Sequence, residues 1–283
     1  MSAGKVVGID VGWSASRATT GLAVLAWDDT SITWHLDRAG IDKDERRRRL
    51  AALLARTRGP IEAVAVDGPL RPDLECRETY RGADALLCRG LFAQRGKVGA
   101  TSSRSGFRLH QEAVVLADLA LEHPVARARH RPAIHARAVV EAFPNLFLGV
   151  LCDACAAAPY PVPLRPRQWT DAFYPALAAG GRLDALLRRL LPGRRLDAAW
   201  TSVTDHDDRA ALACALAALG VAVGLFVAVG AEDGWVILPP REAWGRGEDG
   251  CWAEDTLRAN VTSVRRDGWA AAVYRDGRPW ITA

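Results

Sequence analysis

Two apolar runs far apart in the chain each stop at an aspartate, and this pairing constrains the fold more than any other feature. The first, residues 5–11, reads KVVGIDV and carries Asp10 near its end. The second, residues 61–66, reads IEAVAV and runs into Asp67-Gly68-Pro69. Both are short, rich in β-branched residues and bounded by glycine or proline, the pattern of buried strands. Each aspartate is therefore expected at the end of a central strand, where a carboxylate is held firmly.

Further strands are expected at 21–27 and 31–36, separated by the Asp28-Asp29-Thr30 turn, and at 137–143, 225–229 and 235–238. Helical periodicity covers 43–58, with Asp42 as its cap, 110–122 and 207–219. Residues 71–110 have weak periodicity and many Arg, Gly and Ser residues, as in an insertion after the fourth strand beside a cleft. The order βββαβ, then αβα, predicts one mixed α/β layer fold over 1–240. A C-terminal extension, 241–283, contains Asp276-Gly277, a tight-turn signal for a small hairpin.

With 283 residues, 49% of them hydrophobic, the chain can bury a substantial core, which excludes disorder throughout. A formal charge of +4 permits a nucleic-acid partner without requiring one. Arginines at 46–49, at 127, 129 and 131, and within 188–195 offer forked donors to phosphate, although solvated helix faces explain them as simply. The N-terminal sequence passes directly into a strand, and the apolar stretch at 216–229 is interrupted by glycine, so no membrane partner and a cytoplasmic location are expected. Cys152 and Cys155 form a C-x-x-C pair with Cys76 and Cys88 upstream. Structural zinc and separate buried thiols are both open readings, and redox catalysis is not expected.

More acids join the first two. Glu141 interrupts the apolar run VVEAFP, and Asp205, Asp207 and Asp208 open the helix at 207–219. Carboxylates buried together repel one another and lose hydration, and a divalent metal offsets both costs. Separate caps and salt bridges are the alternative. His206, beside these acids, fits a helix cap as well as a proton donor and stays outside the catalytic set.

The motifs VVGIDVG, GLAV at 21–24, AVAVDGPL, VVEAFP, DHDDRAALACALAAL and EDGWVILP, taken in order, resemble the DUF429 family of predicted nucleases in the ribonuclease H-like superfamily. The resemblance implies a mixed β-sheet flanked by helices, with first-strand, fourth-strand and late-helix acids around Mg²⁺ or Mn²⁺. Carried over, the metal and catalytic set is Asp10, Asp67, Glu141, Asp207 and Asp208, with Arg77 as a phosphate contact and DNA or RNA as partner. A more distant similarity to Holliday-junction resolvases places Ala210 where a second late acid stands. The resemblance implies metal-dependent nuclease or phosphodiesterase activity. Two other classes fit the same residues: an actin-like or sugar-kinase-type phosphotransferase or ATPase, and a non-catalytic nucleic-acid-binding domain.

Overall fold

A three-stranded antiparallel meander opens the chain: β1 (Gly4–Asp10), β2 (Thr20–Trp27) and β3 (Ser31–Ala39). Asp10 stands opposite Gly21 in this register. Helix α1 (Lys43–Ala55), capped by Asp42, then returns the chain so that β4 (Ile61–Asp67) lies parallel to β1, with Ile9 beside Val66. Lys5 of β1 is buried and donates its Nζ to the carbonyls of Leu54 and Thr57, satisfying the C-terminal end of α1.

This computed structural model describes residues 3–71, 81–94, 103–133, 136–153, 166–247, 250–268 and 270–281. Helices α2 (Gly82–Leu87) and α3 (Arg104–Leu121) precede β5 (Val139–Ala142), which pairs parallel to β4. Helices α4 (Pro144–Leu151), α5 (Pro166–Ala179) and α6 (Arg182–Leu190) lead to the short β6 (Arg195–Leu196). Helix α7 (His206–Val223) is followed by β7 (Val227–Ala231), β8 (Gly234–Leu238), α8 (Trp252–Arg266), β9 (Ala272–Arg275) and β10 (Arg278–Ile281). Among the described residues the strands form one mixed sheet, in the order β10-β9-β7-β8-β5-β4-β1-β2-β3-β6. The α/β class expected from the sequence is therefore present.

Two segments differ from the sequence reading. Part of 71–110 is helical and packed: α3 already begins at Arg104, and Ala83, Leu86 and Leu87 of α2 are buried. The C-terminal hairpin forms, but β9 also hydrogen-bonds to β7, so these last residues continue the main sheet.

The sheet is covered on both faces. Val6, Ala63, Ala65 and Val140 face α7 and its neighbours, whereas Val7, Ile9, Val64, Val66 and Val139 face α3 and α1. Every residue from 210 to 221 of α7 is buried, as expected for a helix that is apolar all round. Its close seating needs two glycines. A Cβ on Gly8 would stand 2.1 Å from the Ala211 carbonyl oxygen and 2.2 Å from the Ala215 nitrogen; one on Gly21 would stand 2.3 Å from the Asp207 carbonyl oxygen. Backbone atoms cannot step aside as a side-chain tip can. Gly8→Ala is therefore expected to cost about 3 kcal/mol of stability, the upper end of overpacking effects, measured by denaturant unfolding. A loss below about 0.5 kcal/mol would mean that α7 shifts freely on the sheet.

Candidate acidic site

Since β1 and β4 are parallel neighbours, the residues that follow Ile9 and Val66 come side by side. Ile9 and Val66 belong to the α3 face, so the two-residue period of a strand turns Asp10 and Asp67 toward α7. Asp10 is buried, and Asp67 is half-buried with its Oδ1 sealed from solvent and without a hydrogen-bond partner among the described residues. The two carboxyls lie within reach of each other's influence, and two ionised carboxylates in contact repel. Burial pushes Asp67 up to about 7.

The surroundings keep this pair in place. Cys214 of α7 lies close enough for the Asp67 and Asp10 charges to add to the effect of burial, and together they push its thiol well above its ordinary range. A protonated thiol of this kind is not a nucleophile at neutral pH. The β1–β2 loop is clamped by Arg46 of α1, which is 1% exposed. Its guanidinium donates to the Gly12 carbonyl at 2.6 Å, to Thr20 Oγ1 at 3.2 Å and to the Gly40 carbonyl at 3.0 Å, and pairs with Glu112 at 2.7 Å. Gly12 serves loop closure, since a Cβ there would stand 2.1 Å from the Thr19 carbonyl oxygen.

Glu141 does not join the pair. It stands beside Val66 in register, which puts its side chain on the sheet face opposite Asp10 and Asp67. There it is 1% exposed, pairs with Arg81 at 2.8 Å and accepts the Leu70 N–H at 2.9 Å. Arg81 also holds Asp84 at 3.1 Å. Burial raises the Glu141 carboxyl, opposed by the Arg81 charge. Its expected role as a metal ligand is thus replaced by one half of a buried ion pair.

The late acids also separate. Asp208 accepts a two-pronged contact from Arg38 of β3, at 2.9 and 2.7 Å, so it is committed to an arginine and not to the carboxyl pair. Asp205 caps α7 by accepting the Asp207 N–H at 2.9 Å and also meets Arg38 at 2.9 Å. Asp207 remains nearer the site: it is half-buried, and its carbonyl packs on Gly21, the residue opposite Asp10. Ala210 is buried within α7. His206 stands 3.2 Å from Asp171, which also pairs with Arg209. Among the described residues no group of three or more His, Cys, Asp or Glu side chains assembles as a metal-ligand set. Arg77, Cys76 and Cys155 lie outside the described residues; Cys88 is half-buried, and Cys152 is buried and donates to the Leu148 carbonyl.

Comparison with protein-family models, with curated proteins and with solved structures finds no match. Function therefore rests on the chemistry of the carboxyl pair.

Two outcomes follow from these partners. Glu141→Ala leaves Arg81 with Asp84 as its remaining carboxylate and the buried Leu70 N–H without its acceptor, and is expected to cost about 1–3 kcal/mol in unfolding free energy, without altering the affinity of the Asp10–Asp67 side for Mg²⁺. For Asp67, the folded state keeps the proton up to about 7, whereas the free side chain releases it near 3.8. Folding takes up a proton between those values, so this contribution is fully present below the lower one and is lost as pH rises through the higher. In EDTA, Asp67→Asn should gain stability relative to the wild type as pH climbs through neutrality. An offset that stays constant with pH would contradict the raised value.

Proposed function

We propose that the chain is a divalent-metal-dependent phosphodiesterase or nuclease whose cation is held by Asp10 and Asp67. One observation carries this reading: two carboxyls from adjacent strands meet on one sheet face, and among the described residues a buried oxygen of Asp67 has no hydrogen-bond partner. Such a site suits a small hard cation, because Mg²⁺ is commonly bound through one or two carboxylates, with water and substrate phosphates completing its shell. When bound, the cation supplies Lewis-acid stabilisation of charge on a phosphodiester and makes water more acidic.

The chain's own groups do the rest. Parallel β1 and β4 fix the spacing of the two carboxyls, α7 excludes water beneath them, and Arg46 holds the loop beyond Asp10. For Asp67 to act as a ligand its proton must leave, so cation binding is expected to strengthen as pH rises toward neutrality. Asp207 is the third candidate ligand, from its place beside the Asp10 strand. The neighbouring first-strand and fourth-strand acids agree with the resemblance to the ribonuclease H-like superfamily and the DUF429 family, and DNA or RNA is the substrate class that reading favours.

Cleavage of single- and double-stranded DNA and RNA, branched DNA and a simple phosphodiester reporter, with ATP hydrolysis in parallel, tests the proposal. Turnover should require Mg²⁺ or Mn²⁺ and fall about 100-fold or more in Asp10→Asn, a scale typical of losing one electrostatic catalytic group. Titrating metal for both proteins separates weaker binding from lost chemistry. Equal cleavage by both, with no added metal, would reject the mechanism.

A further inference from the structure

We propose that Trp13 and Arg108 form a phosphate-binding subsite at the rim of the carboxyl pair, one that takes a backbone phosphate of a nucleic-acid strand. The inference rests on the phosphodiesterase reading above. Two loops leaving the paired strands define the rim. Trp13 lies three residues beyond Asp10, and its half-buried ring packs on the apolar face shared by β1, β4 and α3. On the other side, Gly68 follows Asp67 and lies tight against α3: a Cβ there would stand 3.1 Å from Leu109 Cγ and 3.0 Å from Ala113 Cβ. The His110 ring Nδ1 is 3.0 Å from the Pro69 carbonyl. Arg108 thus belongs to the helical turn seated on the Asp67 loop. Its guanidinium carbon stands 5.9 Å from the centre of the Trp13 ring, which ties the loop after Asp10 to the helix behind the loop after Asp67.

Arg108 differs from the other arginines near the site in what it touches. Arg46 is held by Glu112, Arg38 by Asp205 and Asp208, and Arg81 by Glu141 and Asp84. Arg108 is exposed, and among the described residues its contact is an indole and not a carboxylate. Stacking uses the flat face of a guanidinium and leaves its edge N–H groups directed outward. Those donors match a phosphate in the forked geometry arginine favours. An aromatic ring beside them also offers surface to a neighbouring nucleobase. The positive charge stands on the α3 side of the strand ends that carry Asp10 and Asp67, where it would offset the repulsion of the acidic pair toward a polyanion.

The test measures anisotropy of a fluorescein-labelled single strand of about 12 nucleotides, as DNA and as RNA, with the full-length chain over a KCl series in EDTA. Arg108→Gln should weaken binding about ten-fold and lower the slope of log affinity against log salt by about one. Arg108→Lys keeps the charge and should restore the slope with only part of the affinity. Trp13→Ala should weaken binding with the slope retained. Arg47→Gln removes a charge already held by Asp44 and Glu122 and should change neither value. Wild-type affinity and slope in a folded Arg108→Gln protein overturn the subsite, as does a wild-type chain that binds neither strand. If that variant cleaves normally in Mg²⁺ while Asp10→Asn does not, the phosphodiesterase reading survives the loss of the subsite. Salt-dependent binding that Arg108→Gln weakens, in a chain that cleaves nothing, keeps the subsite and removes the catalytic reading.

Discussion

The contact of α7 with β1 and β2 is the interaction on which the rest depends. A helix can approach a sheet this closely only where side chains are missing, and Gly8 and Gly21 remove them at two points on adjacent strands. The apolar surface of α7 is thereby pressed onto the sheet, and the same closeness strips water from Asp10, Asp67 and Cys214. The raised proton affinity of Asp67 is therefore a consequence of helix packing, not an independent property of the site.

Charged side chains inside the protein are compensated locally, and the compensation differs on the two faces. On one face Arg81 pairs with both Glu141 and Asp84, giving a network whose members hold one another. On the other, Asp10 and Asp67 come side by side, and burial raises the proton affinity of Asp67 to about 7. A carboxyl that holds a proton can exchange it for another cation, whereas a carboxylate bound to an arginine has no comparable exchange open to it. This contrast distinguishes the candidate site from the protein's other acidic groups.

The first four strands and α7 were legible because each is a dense apolar run, and the two terminal aspartates stood out against them. What could not be read were partners fixed by tertiary register. The face taken by Glu141 depends on how a four-residue strand aligns with β4, and the partner of Asp208 is an arginine on a distant strand. Arg46 looked like one of four equivalent arginines. Yet 46, 50, 53 and 54 lie on one helical face, and sharing that face with three leucines marked it as the inward one. Helix α8 was missed although Ala253, Leu257, Val261 and Val264 recur at helical spacing, because the charged residues between them dilute the apolar signal.

The way β7 is covered also sets an order of assembly. This strand is buried along its whole length, with β8 on one side and β9 on the other. Its second partner lies close to the end of the chain, so during synthesis β7 emerges and pairs with β8 well before β9 exists. Until then its outer edge presents unpaired N–H and C=O groups next to an apolar core, the arrangement most open to pairing with another nascent chain. The β9–β10 hairpin thus acts as a stitch that closes this edge of β7, and it is synthesised after the strand it covers.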